Sequence, residues 1–365
     1  MSEARVDRSI EVGGVDAFAP EWSALAERTK APPWAWPEWF GIWQQAFSPS
    51  APLVAYVARS DGRLSGVGAF RRQDRRLEAA ANIHSPWWGV LAATEDAREA
   101  IFAAALREKP TRLEVHEIRE NAGEAEAIRA CGAAQGYRIV ESVFERAPFV
   151  RIDGDWQTYY HAHIDRRRRK EIDRCRRRLM DAHRLDYEWA IPDGDGVDAL
   201  LDEGFHVEAS GWKGRAGTAI VSDPATALFY REIARWASSR GWLRLGFLRA
   251  NGRAVAFDLA LEKDGVISLL KGGYDEAHSR YGPGIVLLHD LLEDAFARGI
   301  KEVDLLGSSE RYKLPWADAT RNRSRVSAFS PTPRGTAEFG LRRLETFARA
   351  AAQSMRRRRT DRRGR

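Results

Sequence analysis

The run Tyr274-Asp-Glu-Ala-His-Ser-Arg-Tyr-Gly-Pro-Gly-Ile285 places a Gly-Pro-Gly turn between a β-type segment and an apolar-striped helix. A helix N-terminus carries backbone N–H groups without intrahelical partners, and its dipole adds partial positive charge, so this arrangement suits an anion. Gly282 and Gly284 let a diphosphate approach the backbone, while Pro283 pre-sets the first helical turn. Arg280, Tyr281, Gly282, Gly284 and Ile285 are therefore the candidate contacts for a phosphate-bearing ligand. The plain alternative is a turn that only starts a helix.

A second candidate lies in Val255-Ala-Phe-Asp-Leu-Ala-Leu-Glu262. Alternation along a strand puts Ala256, Asp258, Ala260 and Glu262 on one face and the large apolar residues on the other. A carboxylate among small residues in a partly apolar cleft has a raised pKa and can take a proton from an attacking amine or hydroxyl. Asp258 is the candidate base; Glu262 reads better as an acid facing water on an edge strand. Third, Val303 to Trp316 carries Asp304 at a strand-to-loop transition, then Tyr312, Lys313 and Trp316. Tyr312 has the chemistry of a general acid toward a thiolate, and Lys313 that of a neutraliser of phosphate or oxyanion charge. Against this, Tyr312 and Trp316 can simply pack, with Lys313 in solvent.

The elements that position these groups follow from periodicity. Hairpins are expected at Asp61-Gly62, Asn251-Gly252 and Asp264-Gly265. In the first half the patterns give a helix at 34–47, strands at 52–58 and 64–70, a helix at 95–107, a strand at 112–118, a helix at 122–135 and a strand at 137–144. After Arg151 come helices at 155–164 and 166–183, a strand at 185–191 and helices at 197–210 and 225–240. Strands at 243–249, 254–262 and 266–274 follow, then a helix at 285–298 ending at Gly299, and strands at 302–306 and 325–330. Ile172, Cys175 and Leu179 give the basic helix one buried stripe. Val57-Ala-Arg-Ser-Asp-Gly-Arg63 echoes Phe247-Leu-Arg-Ala-Asn-Gly-Arg253 midway through each half, which suggests a tandem duplication.

Gly272 to Trp316 resembles the CelD/BcsL-like branch of the GNAT acetyltransferases, which is related to the FemAB-type aminoacyltransferases. The features that carry it are a strand ending in Gly-Tyr-Asp, a Pro-Gly helix start, a strand with Asp and a Gly-x-x-x-x-Tyr-Lys loop. The resemblance extends more loosely to Arg166–Arg178 and to Gly211-Trp-Lys-Gly214, and in the first half to layout only. It implies an α/β fold of tandem GNAT-like lobes, each a mixed, mostly antiparallel sheet flanked by helices. Residues 1–150 form a non-catalytic lobe shaping the acceptor groove, 151–335 the acyltransferase lobe, and 336–365 a helix and basic tail.

The resemblance also implies acetyl-CoA or another acyl-CoA as co-substrate and an amine or hydroxyl acceptor on a sugar or cell-envelope precursor. Strands splaying near Phe257 and Leu269 hold the pantetheine, and Trp212, Lys213, Lys271, Tyr274 and Lys313 are the candidate substrate contacts. Two departures stand out. Ser279 occupies the position where the phosphate loop of the superfamily has Arg or Gln, with Arg280 one residue late, and Gly68 stands where the first half would repeat Asp258. Two further readings stay open: a FemAB-like transferase using aminoacyl-tRNA, with Arg166–Arg178 on its phosphates, and a non-catalytic accessory of envelope polysaccharide assembly.

Composition bounds the rest. The chain has 365 residues, enough for two domains, and 44% hydrophobic residues with 13 Trp to fill their cores. Two cysteines and eight histidines lacking metal spacing argue against a disulfide framework or a metal. The net charge of +6 is concentrated in Arg166–Lys170, Arg174–Arg178 and Arg356–Arg365, runs that suit nucleic acid or anionic lipid but equally a solvated face. No apolar stretch reaches the ~20 residues of a membrane span and no signal peptide is seen, so a cytoplasmic protein is expected.

Overall fold

The computed structural model describes residues 8–307 and 312–344. The first half runs β1 (Arg8–Gly14), α1 (Val15–Arg28), α2 (Pro37–Phe47), β2 (Leu53–Ser60), β3 (Arg63–Gln73), β4 (Arg76–Ala79), β5 (Leu91–Ala92), α3 (Glu95–Arg107), β6 (Arg112–Arg119), α4 (Glu124–Ala134) and β7 (Arg138–Arg151). The second runs α5 (Trp156–His163), α6 (Arg166–Ala182), β8 (Leu185–Ala190), α7 (Gly196–Ser210), α8 (Trp212–Arg215), α9 (Pro224–Ser239), β9 (Leu243–Ala250), β10 (Arg253–Lys263), β11 (Val266–Tyr274), α10 (Pro283–Ala297), β12 (Glu302–Asp304) and β13 (Ala319–Phe329).

Local chemistry accounts for most of these bounds. All three expected hairpins turn on residue pairs with positive φ, Asp61/Gly62, Asn251/Gly252 and Asp264/Gly265, as a type I′ turn requires. The helix expected from Trp34 starts only at Pro37, because the residue before a proline is excluded from helical backbone and Trp36 is extended (ψ 151°). Helix α10 ends as expected at Gly299 (φ 66°), whose N–H and that of Ile300 return to Phe296 and Ala295. Strand β12 stops at Asp304, before Leu306 (φ 45°) and Gly307 (φ 60°) turn the chain away.

The expected mixed, mostly antiparallel sheet is present, but it does not close within each half. One 13-stranded sheet runs β1-β2-β3-β4-β6-β13-β7-β12-β11-β10-β9-β8, with β5 paired to β3 off this path. Strand β13 is hydrogen-bonded to β6 on one side and to β7 on the other, and the far end of β7 pairs with β12. The boundary drawn from the sequence at residue 150 thus falls at the end of a strand that both halves share. Both halves hold a short parallel pair, β4/β6 at Arg76–Glu78 and β11/β12 at Val266–Ser268, which fits the duplication.

The largest buried cluster also crosses the halves. Helices α2 and α9 face each other through Trp39 against Phe229 (5.3 Å), and beside them Trp36, just before α2, packs on Trp242, just before β9 (5.2 Å). A second cluster lies beneath α5 and α10, with Trp156, Phe296, Val303 and Trp316. In α6 the expected stripe of Ile172, Cys175 and Leu179 is buried, while Arg176 bonds His289 Nδ1 (3.0 Å) and pairs with Asp290 on α10. Glu262 is not at an edge: β10 lies between β9 and β11, and the carboxylate pairs with Arg244 (3.0 Å) and Arg298. No helix among the described residues is long and apolar enough to cross a membrane.

Candidate active site

Beyond Ser268 and Asp304, β11 and β12 stop pairing, and a cavity of about 880 Å³ opens in the gap between them. Its volume is in the range that buries most of a cofactor-sized ligand. Of the residues singled out in the sequence it gathers Asp258, Tyr312, Gly282, Gly284, Ile285, Trp212, Lys213, Lys271, Tyr274 and Lys313. Arg280 and Tyr281 are not on its wall. The Arg280 guanidinium lies over the Tyr281 ring (4.6 Å) and donates to its hydroxyl (2.6 Å), while Tyr281 packs on His183. Ser279 lines the cavity instead.

Glycines on both neighbouring strands make room for Asp258, which pairs in register with Gly246 on β9 and Gly272 on β11. A Cβ on Gly272 would stand 2.0 Å from Asp258 Oδ1, so no other residue fits there with the carboxylate in place. Burial pushes the Asp258 carboxyl up to about 7, and the Lys213 and Lys313 ammonium groups draw it back down. Gly272→Ala is expected to displace the carboxylate and lower kcat by about 10²-fold, with coenzyme A affinity retained, in parallel turnover and binding measurements.

Around Asp258 stand three lysines. Lys213 donates to the Gly272 carbonyl (2.5 Å) and lies 3.2 Å from Glu208 Oε1. Glu208, fully buried on α7, takes the Ile220 N–H on its other oxygen (2.8 Å). Lys313 donates to the Leu306 carbonyl (3.2 Å). Lys271 sits over the Tyr230 ring (5.4 Å); burial first, then Lys213, lowers its ammonium to about 8. Tyr312, half exposed, lies at the mouth, and the loop at 308–311 that precedes it is outside the described residues.

At the other wall, α10 presents a first turn that no side chain caps: its N-cap is Gly282 (φ 61°), with Cys175 Sγ only 3.0 Å from where a Cβ would be. The corresponding helix of the first half, α3, is closed by Thr94, whose hydroxyl accepts the Ala97 N–H (3.2 Å). The gap beside β4 is closed as well. Residues 80–90 fill it, with Trp88 N–H on the Glu117 carbonyl (2.9 Å) and Val90 against Gly68.

That same segment reaches the cavity and supplies groups that sequence reasoning missed. His84 Nδ1 lies 3.3 Å from the Tyr230 hydroxyl and Nε2 3.3 Å from Thr226 Oγ1. Thr226 donates to Asp223 (2.6 Å), so Nε2 carries the proton and Tyr230 donates to Nδ1. Burial and nearby Lys271 lower the imidazole to about 4 and keep it neutral. Arg323 pairs with Glu117 and with Glu145 (3.1 Å) on the same wall. Glu208 had a signal in the sequence, since it continues the buried Val197, Leu201, Phe205 face of α7. His84, Glu117, Glu145 and Arg323 had none, because only the order of strands brings them here.

Residues 166–314 match the acetyltransferase (GNAT) domain family. The matched segment contains Asp258, the three lysines and the whole of α10, and none of the first-half groups. Among solved structures, the chain is similar to L-PGS from Bacillus licheniformis (12% identity, 89% of this chain and 95% of that one, TM-score 0.55). It is also similar to the C-terminal DUF2156 domain of an Agrobacterium fabrum protein named for lysylphosphatidylglycerol synthesis (12%, 89% and 95%, TM-score 0.52). At such identities the likeness is one of fold. A sequence comparison with curated proteins finds no match.

Proposed function

We propose that the protein transfers an acyl group from a coenzyme A thioester to an amine or hydroxyl of a sugar or cell-envelope precursor. The observation that carries this reading is Asp258, held with a pKa near neutrality inside the cavity that opens between β11 and β12 and reaches the uncapped turn of α10. The diphosphate of the donor rests at Gly282–Ile285 and its pantetheine lies along β11 from Leu269. The acceptor nucleophile attacks the thioester carbonyl as Asp258 takes its proton, a C–N or C–O bond forms, the C–S bond breaks, and Tyr312 protonates the departing thiolate.

The acceptor enters from the first-half wall. Ile83 and Phe144 of the first half and Trp212 and Tyr312 of the second are exposed apolar side chains that all line this cavity, beside the polar His84 and Glu145 of the first half and Lys271 of the second. Flat apolar surfaces next to hydrogen-bonding groups suit a sugar ring. The test is a thermal-shift series with coenzyme A, acetyl-CoA and longer acyl-CoAs. Donor at 100 times its Kd stabilises the native state by about 2.7 kcal/mol, and a shift that varies with acyl length names the donor. No shift with any of them overturns the reading in favour of aminoacyl-tRNA or of a non-catalytic accessory. The basic run Arg356–Arg365, considered from sequence for contact with anionic membrane, lies outside the described residues.

A further inference from the structure

Along 275–288 the cavity is lined by Ser279, Gly282, Gly284, Ile285, Leu287 and Leu288, none of them charged, and Arg280 is turned onto Tyr281. A diphosphate there would meet backbone N–H groups and no guanidinium from its own loop. The neighbouring cations belong to α6, which packs across this turn: Cys175 meets Gly282, and His183, just past the end of α6, meets Tyr281 (5.8 Å).

The arginines of α6 divide sharply by their partners. Arg168 pairs with Glu171 (3.0 Å), Arg169 caps the His161 carbonyl (3.0 Å), Arg176 holds Asp290, and Arg177 returns to the Asp173 carbonyl (3.4 Å). Arg166, Arg167, Arg174 and Arg178 are exposed, and among the described residues none of the four has a hydrogen bond or ion pair; of these, the two within one turn of Cys175 are Arg174 and Arg178. They stand four apart, one turn of like charge that repels itself unless an anion lies between. They also flank Cys175, the residue in contact with Gly282.

We propose that Arg174 and Arg178 form the cationic side of the donor's phosphate site, supplying from α6 the charge that Ser279 does not bring. The proposal rests on the coenzyme A reading above. Burial and then Glu171 raise the pKa of the Cys175 thiol, and the guanidinium groups of Arg174, Arg178 and Arg168 oppose that, which puts Arg174 and Arg178 within electrostatic reach of the residue at Gly282. Because neither side chain packs in the core, both can be removed with the fold intact, and the structural contacts of Arg176 remain.

The test is binding of coenzyme A and of S-acetylpantetheine, which has no phosphates, to three proteins: wild type, Arg174→Ala/Arg178→Ala, and Arg166→Ala/Arg167→Ala. The expected result is a coenzyme A affinity about tenfold or more weaker in the 174/178 variant alone. Its dependence on salt should fall with it, and S-acetylpantetheine should bind all three alike. Wild type binding coenzyme A with the 174/178 variant binding it equally well overturns the site and leaves the donor reading standing. No coenzyme A binding by wild type defeats both, and tRNA retention lost in both variants then assigns α6 to a polynucleotide.

Discussion

Asp258→Asn is expected to lower kcat by about 10²–10⁴-fold while coenzyme A binding stays nearly unchanged. The amide keeps the shape of the carboxylate between Gly246 and Gly272 but cannot accept the acceptor's proton. In the wild type, kcat should rise with pH through about 7 as Asp258 ionises, and the variant should lose that inflection.

Stability moves the other way. A folded-state pKa raised from 3.8 to about 7 means that the native protein holds this proton over a window in which the unfolded chain has released it. The native state is therefore penalised increasingly as pH rises through that window, by up to about 4 kcal/mol once ionisation is complete. Asparagine carries no such penalty, so the variant should unfold at equal or higher denaturant than wild type at pH 8, and the difference should shrink toward pH 4. An inactive but stabilised variant is the signature of a base held at a cost to the fold. Full turnover in Asp258→Asn would remove Asp258 from the mechanism.

Why Asp258 was legible while half of the cavity was not comes down to the range of the signals. Asp258, Gly282, Gly284 and Lys271 lie within 27 residues of one another along β10, β11 and the start of α10, joined by a hairpin that Asp264-Gly265 announces. Alternation and turn chemistry act over such distances, so the face of β10 and the start of α10 could be read directly. The side-chain direction of Arg280 could not. One residue decides whether a guanidinium points into the cavity or onto Tyr281, and that is settled by packing against His183.

Strand order lies further out of reach. β13 was expected as a short strand of the second lobe, and it is instead an 11-residue strand between β6 and β7. Nothing in Ala319-Thr-Arg-Asn-Arg-Ser-Arg-Val-Ser-Ala-Phe329 says which strands it will join, and its polar first half reads as a loop. β7 was likewise expected to end at Phe144, because Glu145-Arg-Ala-Pro148 lacks strand character, yet that end of β7 pairs with β13 and with β12. Long-range pairing thus overrides local propensity where the two halves meet. The N-terminal elements β1 and α1, the latter with Pro20 inside it, were not anticipated at all.

The consequence is an ion pair that no sequence pattern announces, and its removal carries the largest expected loss of stability. Arg323 on β13 and Glu117 on β6 are each about 95% buried, at 5% and 4% exposure, and they meet on the cavity wall. Arg323 also reaches Glu145 on β7 (3.1 Å) and the carbonyls of Ser85 (3.2 Å) and Pro86 (3.3 Å), and lies over the Trp87 ring (5.4 Å). One guanidinium therefore fastens three strands and the segment that carries His84. Glu117 holds a left-handed backbone (φ 61°), costly for a non-glycine residue and sustained by these contacts together with the Trp88 N–H on its carbonyl. Arg323→Met leaves the Glu117 carboxylate buried without its counter-charge and should cost about 3–5 kcal/mol, measured as a lowered denaturant midpoint at unchanged slope. Adding Glu117→Gln should recover much of that loss, because the penalty belongs mainly to the stranded charge and less to the missing contact. In the proposed reaction the single variant should also raise the acceptor KM more than the donor KM, since the loosened segment lines the acceptor wall. A midpoint equal to that of wild type would show that the junction of the two halves is held by β-pairing alone.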